Sequence, residues 1–351
     1  FRLRKSEHFV IEADEYDTAF FDKGPKMWHY LPHIAIVNNI EFDHADIYRD
    51  ETAYLYAFAR FINLIPSSGR LIAGSDSPAV RDLSQKAFAP VESFGFDPDG
   101  SGADPNGADP NGADPSGADG SDAGGSGPDG SGPAPMWTAR DVSFGELTRF
   151  TVVRGGAVWG EVETPLSGAF SIRNCLAAIA AAEAIGADPE RVREALRTYS
   201  SVRRRMEIRG VVNDITVIDD FAHHPTAVRE TLLAARQKYT GRRVVAIFEP
   251  RSYTAQRREF EADYEKALGI ADEIILAGLF HPERYDADTA MQPDRLVSAW
   301  QTAGKRAAHE PDVDAIVAHV ASSAQAGDIV LIMSNGGFGG IHDKLLSALA
   351  G

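Results

Sequence analysis

From residue 207 onward, short and mostly apolar runs alternate with stretches of helical periodicity, and no other feature limits the possible folds so strongly. The strands are expected near 207–212, 215–218, 244–248, 273–276 and 329–333; the helical stretches lie near 226–239, 257–270, 293–303, 313–324 and 341–349. A strand with no polar alternation has to be covered on both faces, which is the condition of a parallel sheet with helices on each side. The spacing therefore predicts a doubly wound, Rossmann-like α/β domain, whose ligands sit beyond the carboxyl ends of the strands. Three polar clusters fall at such ends: 219–224, 249–252 and 334–340.

The fullest cluster is Asp219-Asp220-Phe221-Ala222-His223-His224-Pro225-Thr226, two acids and two histidines on a strand-to-helix turn. Pro225 suits the first helical position, because its ring fixes φ and its missing N–H would have no partner there. The turn thus sits at the positive end of a helix dipole, where anions bind. A capped, charged turn is the plain alternative for any one of these residues. Four titratable groups within six residues point instead to a site. The glycine-rich stretch 334–340 lies at the last strand, lacks G-x-G-x-x-G spacing and has no ribose-binding acid some 20 residues later. Its amides suit an anion, such as a substrate carboxylate, better than a nicotinamide cofactor.

The earlier part of the chain alternates in the same way. A strand is expected at 8–12, ending in Glu12-Ala13-Asp14-Glu15, and another at 34–37, followed by Asn38-Asn39-Ile40-Glu41-Phe42-Asp43-His44-Ala45-Asp46. Two neighbouring strands ending in Asp, Glu and His can hold a hard divalent cation. A helix over 51–64 with Leu55, Phe58, Ala59 and Ile62 on one face, a strand at 70–74, a short helix and a strand at 91–95 follow. Strands at 136–144, 147–154 and 157–164 read as a meander, and helices over 171–185 and 189–199 complete a first domain. The basic run Arg203-Arg204-Arg205 marks the boundary, giving domains 1–201 and 202–351. Between them in composition stands 97–135, where Ala-Asp-Pro-Asn-Gly recurs without large apolar residues; it reads as a disordered acidic insert in a surface loop, without chemistry.

Composition narrows the function. A length of 351 residues suits two domains. Cys175 stands alone, which excludes an intrachain disulfide and any multi-cysteine zinc site. The net charge of −16 argues against nonspecific nucleic-acid binding, although eight of the acids lie between Asp97 and Asp129. No apolar run approaches the ~18 residues of a membrane span and no leader opens the chain, so a soluble cytoplasmic protein is expected, its oligomeric state left open. The start, Phe1-Arg2-Leu3-Arg4, lacks Met and reads as the middle of a protein.

In order, Glu12-Ala13-Asp14-Glu15, the Glu-x-Asp-His-x-Asp core of 39–46 and the cluster 219–226 resemble the central and C-terminal signatures of the Mur ligases, ATP-dependent amide-bond-forming enzymes of peptidoglycan synthesis. The double histidine looks like the branch acting on UDP-N-acetylmuramate. Phe248-Glu249-Pro250-Arg251-Ser252 and the stretch Met333 to His342 look like the member joining that substrate to L-alanyl-γ-D-glutamyl-meso-diaminopimelate. The resemblance implies a partial central ATPase domain followed by a Rossmann-like acceptor-binding domain. It also implies a muramoyl carboxylate phosphorylated by ATP and then attacked by the peptide amine. By the same resemblance Glu12 and His44 hold Mg2+, Asn174 meets adenine, and Arg205 and Asp220 reach the nucleotide. His223, His224, Arg251, Ser334 and Asn335 take the acceptor peptide and its carboxylates, with Glu12, His44, Asp220 and His223 nearest the chemistry.

Three departures accompany it. The phosphate-binding loop G-T-x-G-K-[ST] and the domain that grips UDP are absent from these residues, so the chain is not expected to turn over ATP by itself. The adenine pattern G-x-H-N-x-x-N is here Gly168-Ala169-Phe170-Ser171-Ile172-Arg173-Asn174, keeping only the last Asn. No lysine lies between His44 and Gln85 to correspond to the carbamylated lysine of some members. UDP-N-acetylmuramate:L-alanine ligase and a noncatalytic peptide- or nucleotide-binding remnant stand as alternatives. Arg205 also reads as a linker charge, Ser334 and Asn335 as a cap for the last helix, and His342 and Cys175 as structural.

Overall fold

The computed structural model describes residues 6–42, 47–96, 134–281, 283, 285–286 and 288–351. Two compact units emerge, one running to Phe94 and the other from Gly95.

The first unit contains the antiparallel hairpin β1 (Asp17–Ala19) and β2 (Asp22–Pro25), then β3 (Ile34–Val37), α1 (Glu51–Ile62), β4 (Arg70–Gly74), α2 (Pro78–Ser84) and β5 (Val91–Phe94). Strands β3, β4 and β5 pair in parallel, as the alternation predicts. Asp50 starts α1, its carboxylate accepting the Ala53 N–H at 2.8 Å. The buried stripe of α1 is Tyr54, Ala57, Phe61 and Ile62, while Leu55, Phe58 and Ala59 are only partly covered. Tyr54 enters this stripe, packing against Tyr48 and Phe42 at ring separations of 4.9 and 5.9 Å and against Phe58 of the same helix at 5.1 Å; a tyrosine ring buries as much apolar area as a phenylalanine.

The strand expected at 8–12 does not form. A strand needs a neighbour for its N–H and C=O groups, and among the described residues none pairs with it; Phe9 and Val10 stay exposed. At the end of β4, a Cβ on Gly74 would lie 1.9 Å from the carbonyl oxygen of Asn38. Gly74→Ala is therefore expected to cost about 2–3 kcal/mol by forcing the two backbones apart, read as a lower urea midpoint at unchanged slope.

The second unit opens with the antiparallel meander β6 (Trp137–Ser143), β7 (Thr148–Arg154) and β8 (Ala157–Thr164), followed by α3 (Ala169–Ala184) and α4 (Pro189–Arg197). The expected acidic insert lies outside the described residues over 97–133. Then come β9 (Glu207–Val212), β10 (Ile215–Asp220), α5 (Pro225–Lys238), β11 (Val244–Phe248), α6 (Glu261–Leu268), β12 (Glu273–Ala277), α7 (Pro293–Thr302), β13 (Arg306–Glu310), α8 (Val313–Ser323), β14 (Ile329–Met333) and α9 (Ile341–Ala350). Their sheet has the order β13-β12-β11-β14-β10-β9, parallel except for β9 against β10. Every residue of β10, β11, β12 and β14 is buried. Because successive side chains point to opposite faces, Ile218, Phe248 and Leu331 enter a core with Val228, Leu232, Tyr264 and Trp300, while Val217, Ile247 and Ile332 enter another with Ile316 and Leu345.

The helix expected over 257–270 is shorter. Residues 254–256 and 258–260 form 3-10 turns, broken at Arg257, which is extended and bridges Ala290, and α6 begins at Glu261. Strand β13, Arg-Ala-Ala-His-Glu, has no apolar run to announce it, since it is the sheet edge and only partly buried. It is held from the side by His319 of α8, whose Nδ1 lies 2.8 Å from Glu310 and Nε2 3.1 Å from Glu273. Arg243 adjoins the same Glu273 at 3.4 Å and Asp328 at 2.8 Å. Burial pushes the His319 imidazole down, but the hydrogen bonds and charges of the two glutamates outweigh it and leave the pKa raised. A raised histidine stabilises fully below its unfolded pKa and loses that contribution as pH rises through the folded one. Urea midpoints are thus expected to fall as pH rises above the ordinary histidine value of about 6.5, and to fall less in His319→Gln.

Candidate functional site

Register brings the polar clusters together. Asp220 and Phe248 both align with Met333 in neighbouring parallel pairs, so the chain leaves β10, β11 and β14 at one level of the carboxyl edge. Two backbone bonds extend the pairing past the strands: Glu249 N–H to Met333 O and Ser334 N–H to Asp220 O, each 3.1 Å.

At the end of β10, Asp220 is 2% exposed. Its Oδ1 accepts the Ala222 N–H at 2.8 Å and the Thr231 hydroxyl at 3.3 Å, and its Oδ2 accepts the Met206 N–H at 2.8 Å. Burial pushes this carboxyl up, against the donors that favour its charge. The segment it pins is strained: Ser201, Arg204 and Met206 have φ of 67°, 59° and 50°, a region side chains disfavour. Arg204 is tied down as well, its N–H donating to Glu207 at 2.8 Å and its carbonyl accepting from Phe221 N–H at 2.9 Å.

Asp219, equally buried, lies 3.3 Å from His342 Nε2 and 3.5 Å from Arg204 Nε. Burial pushes its carboxyl up, but His342 and Arg204 together outweigh that and hold it below the usual range. Arg204 also donates to the carbonyl of Ser334 and covers the ring of Phe221 at 4.9 Å. Arg205, next along, is exposed, with its guanidinium 5.9 Å from the same ring. His223 Nδ1 is 3.0 Å from the carbonyl of Phe221, and the His223 backbone oxygen accepts from the Tyr264 hydroxyl. His224 is the residue on which α5 starts, ahead of Pro225.

Arg251, beyond β11, lays its guanidinium on Phe280 at 3.7 Å and comes within 3.6 Å of Glu249. It fits because residue 336 is glycine: a Cβ there would lie 2.2 Å from Arg251 Nε. Glu249 accepts from the Ser334 hydroxyl, whose oxygen in turn accepts the Gly336 N–H at 2.9 Å. Asn335 Oδ1 is buried with no hydrogen-bond partner among the described residues, an acceptor that costs about 1–3 kcal/mol until a donor reaches it. Past it, Phe338, Gly339 and Gly340 take φ of 40°, 55° and 72° before α9 begins. A cavity of about 160 Å³ adjoins this edge, lined among others by Glu249, Phe280, Asp312 and Phe338. A guanidinium on an aromatic platform, packed against the residue that follows an unmet acceptor, suits a ligand with a carboxylate and N–H donors.

The edge thus unites Asp220, His223, His224, Arg251, Ser334 and Asn335, with Arg205 reaching it through Phe221. Asn174 is exposed on α3. In the first unit Glu12 is exposed on a segment with no regular secondary structure, and His44 lies outside the described residues. The described residues contain no group of three or more His, Cys, Asp or Glu that could hold a metal. Two residues at the edge are not singled out by sequence reasoning. Glu249 is read from the sequence only within the cluster 249–252 and the family signature, with no role of its own, and Arg204 is one of three consecutive arginines, with nothing local to say which turns inward.

Residues 1–108 match the Mur ligase middle domain, and residues 204–336 match the glutamate ligase domain of Mur ligases. Over 350 residues the chain is 37% identical to the UDP-N-acetylmuramate–L-alanyl-gamma-D-glutamyl-meso-2,6-diaminoheptandioate ligase of Escherichia coli (strain K12), covering 99% of this chain and 66% of that protein. The protein of the same description from Haemophilus influenzae is 35% identical, with 99% and 67% covered. The crystal structure of a murein peptide ligase from Psychrobacter arcticus superposes with a TM-score of 0.60 at 33% identity, covering 97% of this chain and 62% of that one. The chain spans about two thirds of the length of these relatives. Shared signatures, shared domain order and identity along nearly the whole chain agree, and the chain belongs to the Mur ligase family.

Proposed function

We propose that the protein joins UDP-N-acetylmuramate to the tripeptide L-alanyl-γ-D-glutamyl-meso-diaminopimelate in an ATP-dependent reaction that forms an amide bond. The observation that carries this reading is the seat of Arg251, stacked on Phe280 and spared a clash only by Gly336, next in the chain to the unmet Asn335 oxygen. A peptide offers several carboxylates and amide N–H groups to such a pair, and free alanine offers fewer. Relatives named for the tripeptide ligase match along the whole chain, which supports the same acceptor.

In this reading the muramoyl carboxylate becomes an acyl phosphate at the expense of ATP, and the peptide amine attacks its carbonyl carbon. The C–N bond forms, phosphate leaves with the C–O bond's electron pair, and the amine proton goes to solvent or a nearby base. His223 and His224, at the start of α5, position the acceptor together with Arg251, Ser334 and Asn335. Arg205 is an exposed cation beside an aromatic face and fits a nucleotide; with Asn174 it is our candidate for ATP, and Asp220 serves by fixing the segment that carries Arg205. Mg2+ supplies charge neutralisation at the phosphates when bound, and Glu12 and His44 are the residues we assign to it. Turnover further requires a phosphate-binding loop, and the pattern G-T-x-G-K-[ST] does not occur among these residues. We divide the chain functionally at 201 and 202, ATP-binding before and acceptor-binding after. No helix among the described residues is long and apolar enough to cross a membrane, and we place the protein in the cytoplasm.

The test is a ligation assay on the full-length protein with UDP-N-acetylmuramate, ATP and Mg2+, offering tripeptide or free alanine. Tripeptide should be the better acceptor by kcat/KM; a preference for alanine would assign the protein to the alanine-adding reaction, and no ligation of either would favour a noncatalytic binding protein.

A further inference from the structure

We propose that Asp219 is a positioning residue, which with Arg204 and His342 clamps both ends of the glycine-rich turn 334–340; this rests on the acceptor-site reading above. The turn begins at Ser334, whose carbonyl accepts from Arg204, and ends where α9 begins, with His342 in its first helical turn. Both clamping side chains converge on one carboxylate oxygen, Asp219 Oδ1, at 3.5 Å from Arg204 Nε and 3.3 Å from His342 Nε2. The carboxylate is buried, and His342 Nε2 is a buried polar atom with no well-angled hydrogen bond, so Asp219 is the one acid within ion-pair distance of it among the described residues.

The turn needs such a clamp. Three consecutive residues with positive φ, one of them a phenylalanine, do not hold a single conformation unaided. Its opening residues carry Ser334, Asn335 and the Gly336 gap that seats Arg251, so drift at either end changes the acceptor site without touching any ligand. Asp219 therefore acts through the turn, in contrast to Asp220, whose oxygens hold the linker and the histidine turn.

The experiment uses the full-length protein with Asp219→Asn, His342→Gln and Arg204→Lys, and two readouts. Hydrogen exchange of the 335–340 amides, without substrate, should accelerate about tenfold in His342→Gln while exchange in β11 and β12 stays unchanged. KM for the tripeptide should rise about tenfold in each variant, with KM for ATP within twofold of wild type, and Asp219→Asn combined with His342→Gln should be no worse than the more severe single change. If Asp219→Asn fails to fold, His342→Gln alone decides. Wild-type tripeptide binding by calorimetry, with unchanged turn exchange and unchanged tripeptide KM in the variants, overturns the clamp and leaves the acceptor reading intact. Absence of wild-type tripeptide binding overturns the acceptor reading, and with it the role given to Asp219.

Discussion

Asp220→Ala is expected to lower the unfolding free energy by about 3–5 kcal/mol, because one truncation strips the acceptor from two backbone N–H groups and a hydroxyl. Each buried donor left unmet costs about 1–3 kcal/mol, and the cavity adds to that. The loss falls on a place already under strain, since Met206 has a positive φ and its N–H donates to Asp220. Asp220→Asn should lose less: its carbonyl oxygen still accepts, but its NH2 faces a donor. Urea unfolding of the two variants at pH 7 reads both values. A loss below about 1 kcal/mol in Asp220→Ala would mean that water or a shifted backbone replaces the carboxylate, and that Asp220 is free to meet a ligand directly.

Arg251→Ala should weaken acceptor binding about 10- to 100-fold, the effect of losing one or two charge-assisted hydrogen bonds worth about 1.4–2.8 kcal/mol, at little cost in stability. Gly336→Ala should reproduce the loss while leaving the arginine in the chain, because the new Cβ occupies the space of the guanidinium and its Cδ. The displaced group is the far end of a flexible side chain, so the fold survives. Arg251→Lys should restore little, since a point charge neither stacks on Phe280 nor pairs a carboxylate with two bonds. Calorimetric titration with tripeptide measures all three. Equal affinity in wild type and Gly336→Ala would show that the acceptor does not use Arg251 where it now lies.

Much of the second unit was legible because its central strands are buried on both faces. Val244 to Phe248 and Ile329 to Met333 are apolar throughout, and Ile215 to Ile218 is interrupted only by Thr216, a property each run carries without reference to the rest of the chain. The elements that escaped notice depend on neighbours. Strand β13 exists because β12 offers it an edge and His319 braces it, not because Arg-Ala-Ala-His-Glu favours a strand. The helix expected over 257–270 yields its first turns to a bridge between Arg257 and Ala290. Residues 8–12 fail to form a strand for the converse reason, having no partner among the described residues.

The candidate site divides in the same way. The order of residues along the chain determined which groups arrive at the carboxyl edge: acids and histidines after β10, Glu249 and Arg251 after β11, and a glycine turn after β14. It could not say which of them would be consumed in holding the edge together. Asp220 is engaged by Met206 and Thr231, and Ser334 by Glu249, 85 residues away. Arg204 turns inward where Arg205 does not. Chemical type is local and was visible from residue identity, but burial and hydrogen-bond satisfaction depend on what the register brings alongside. Only the tertiary structure therefore decided that Asp219, Asp220 and Ser334 spend polar groups on the edge itself, while Asn335 Oδ1 meets no hydrogen-bond partner among the described residues.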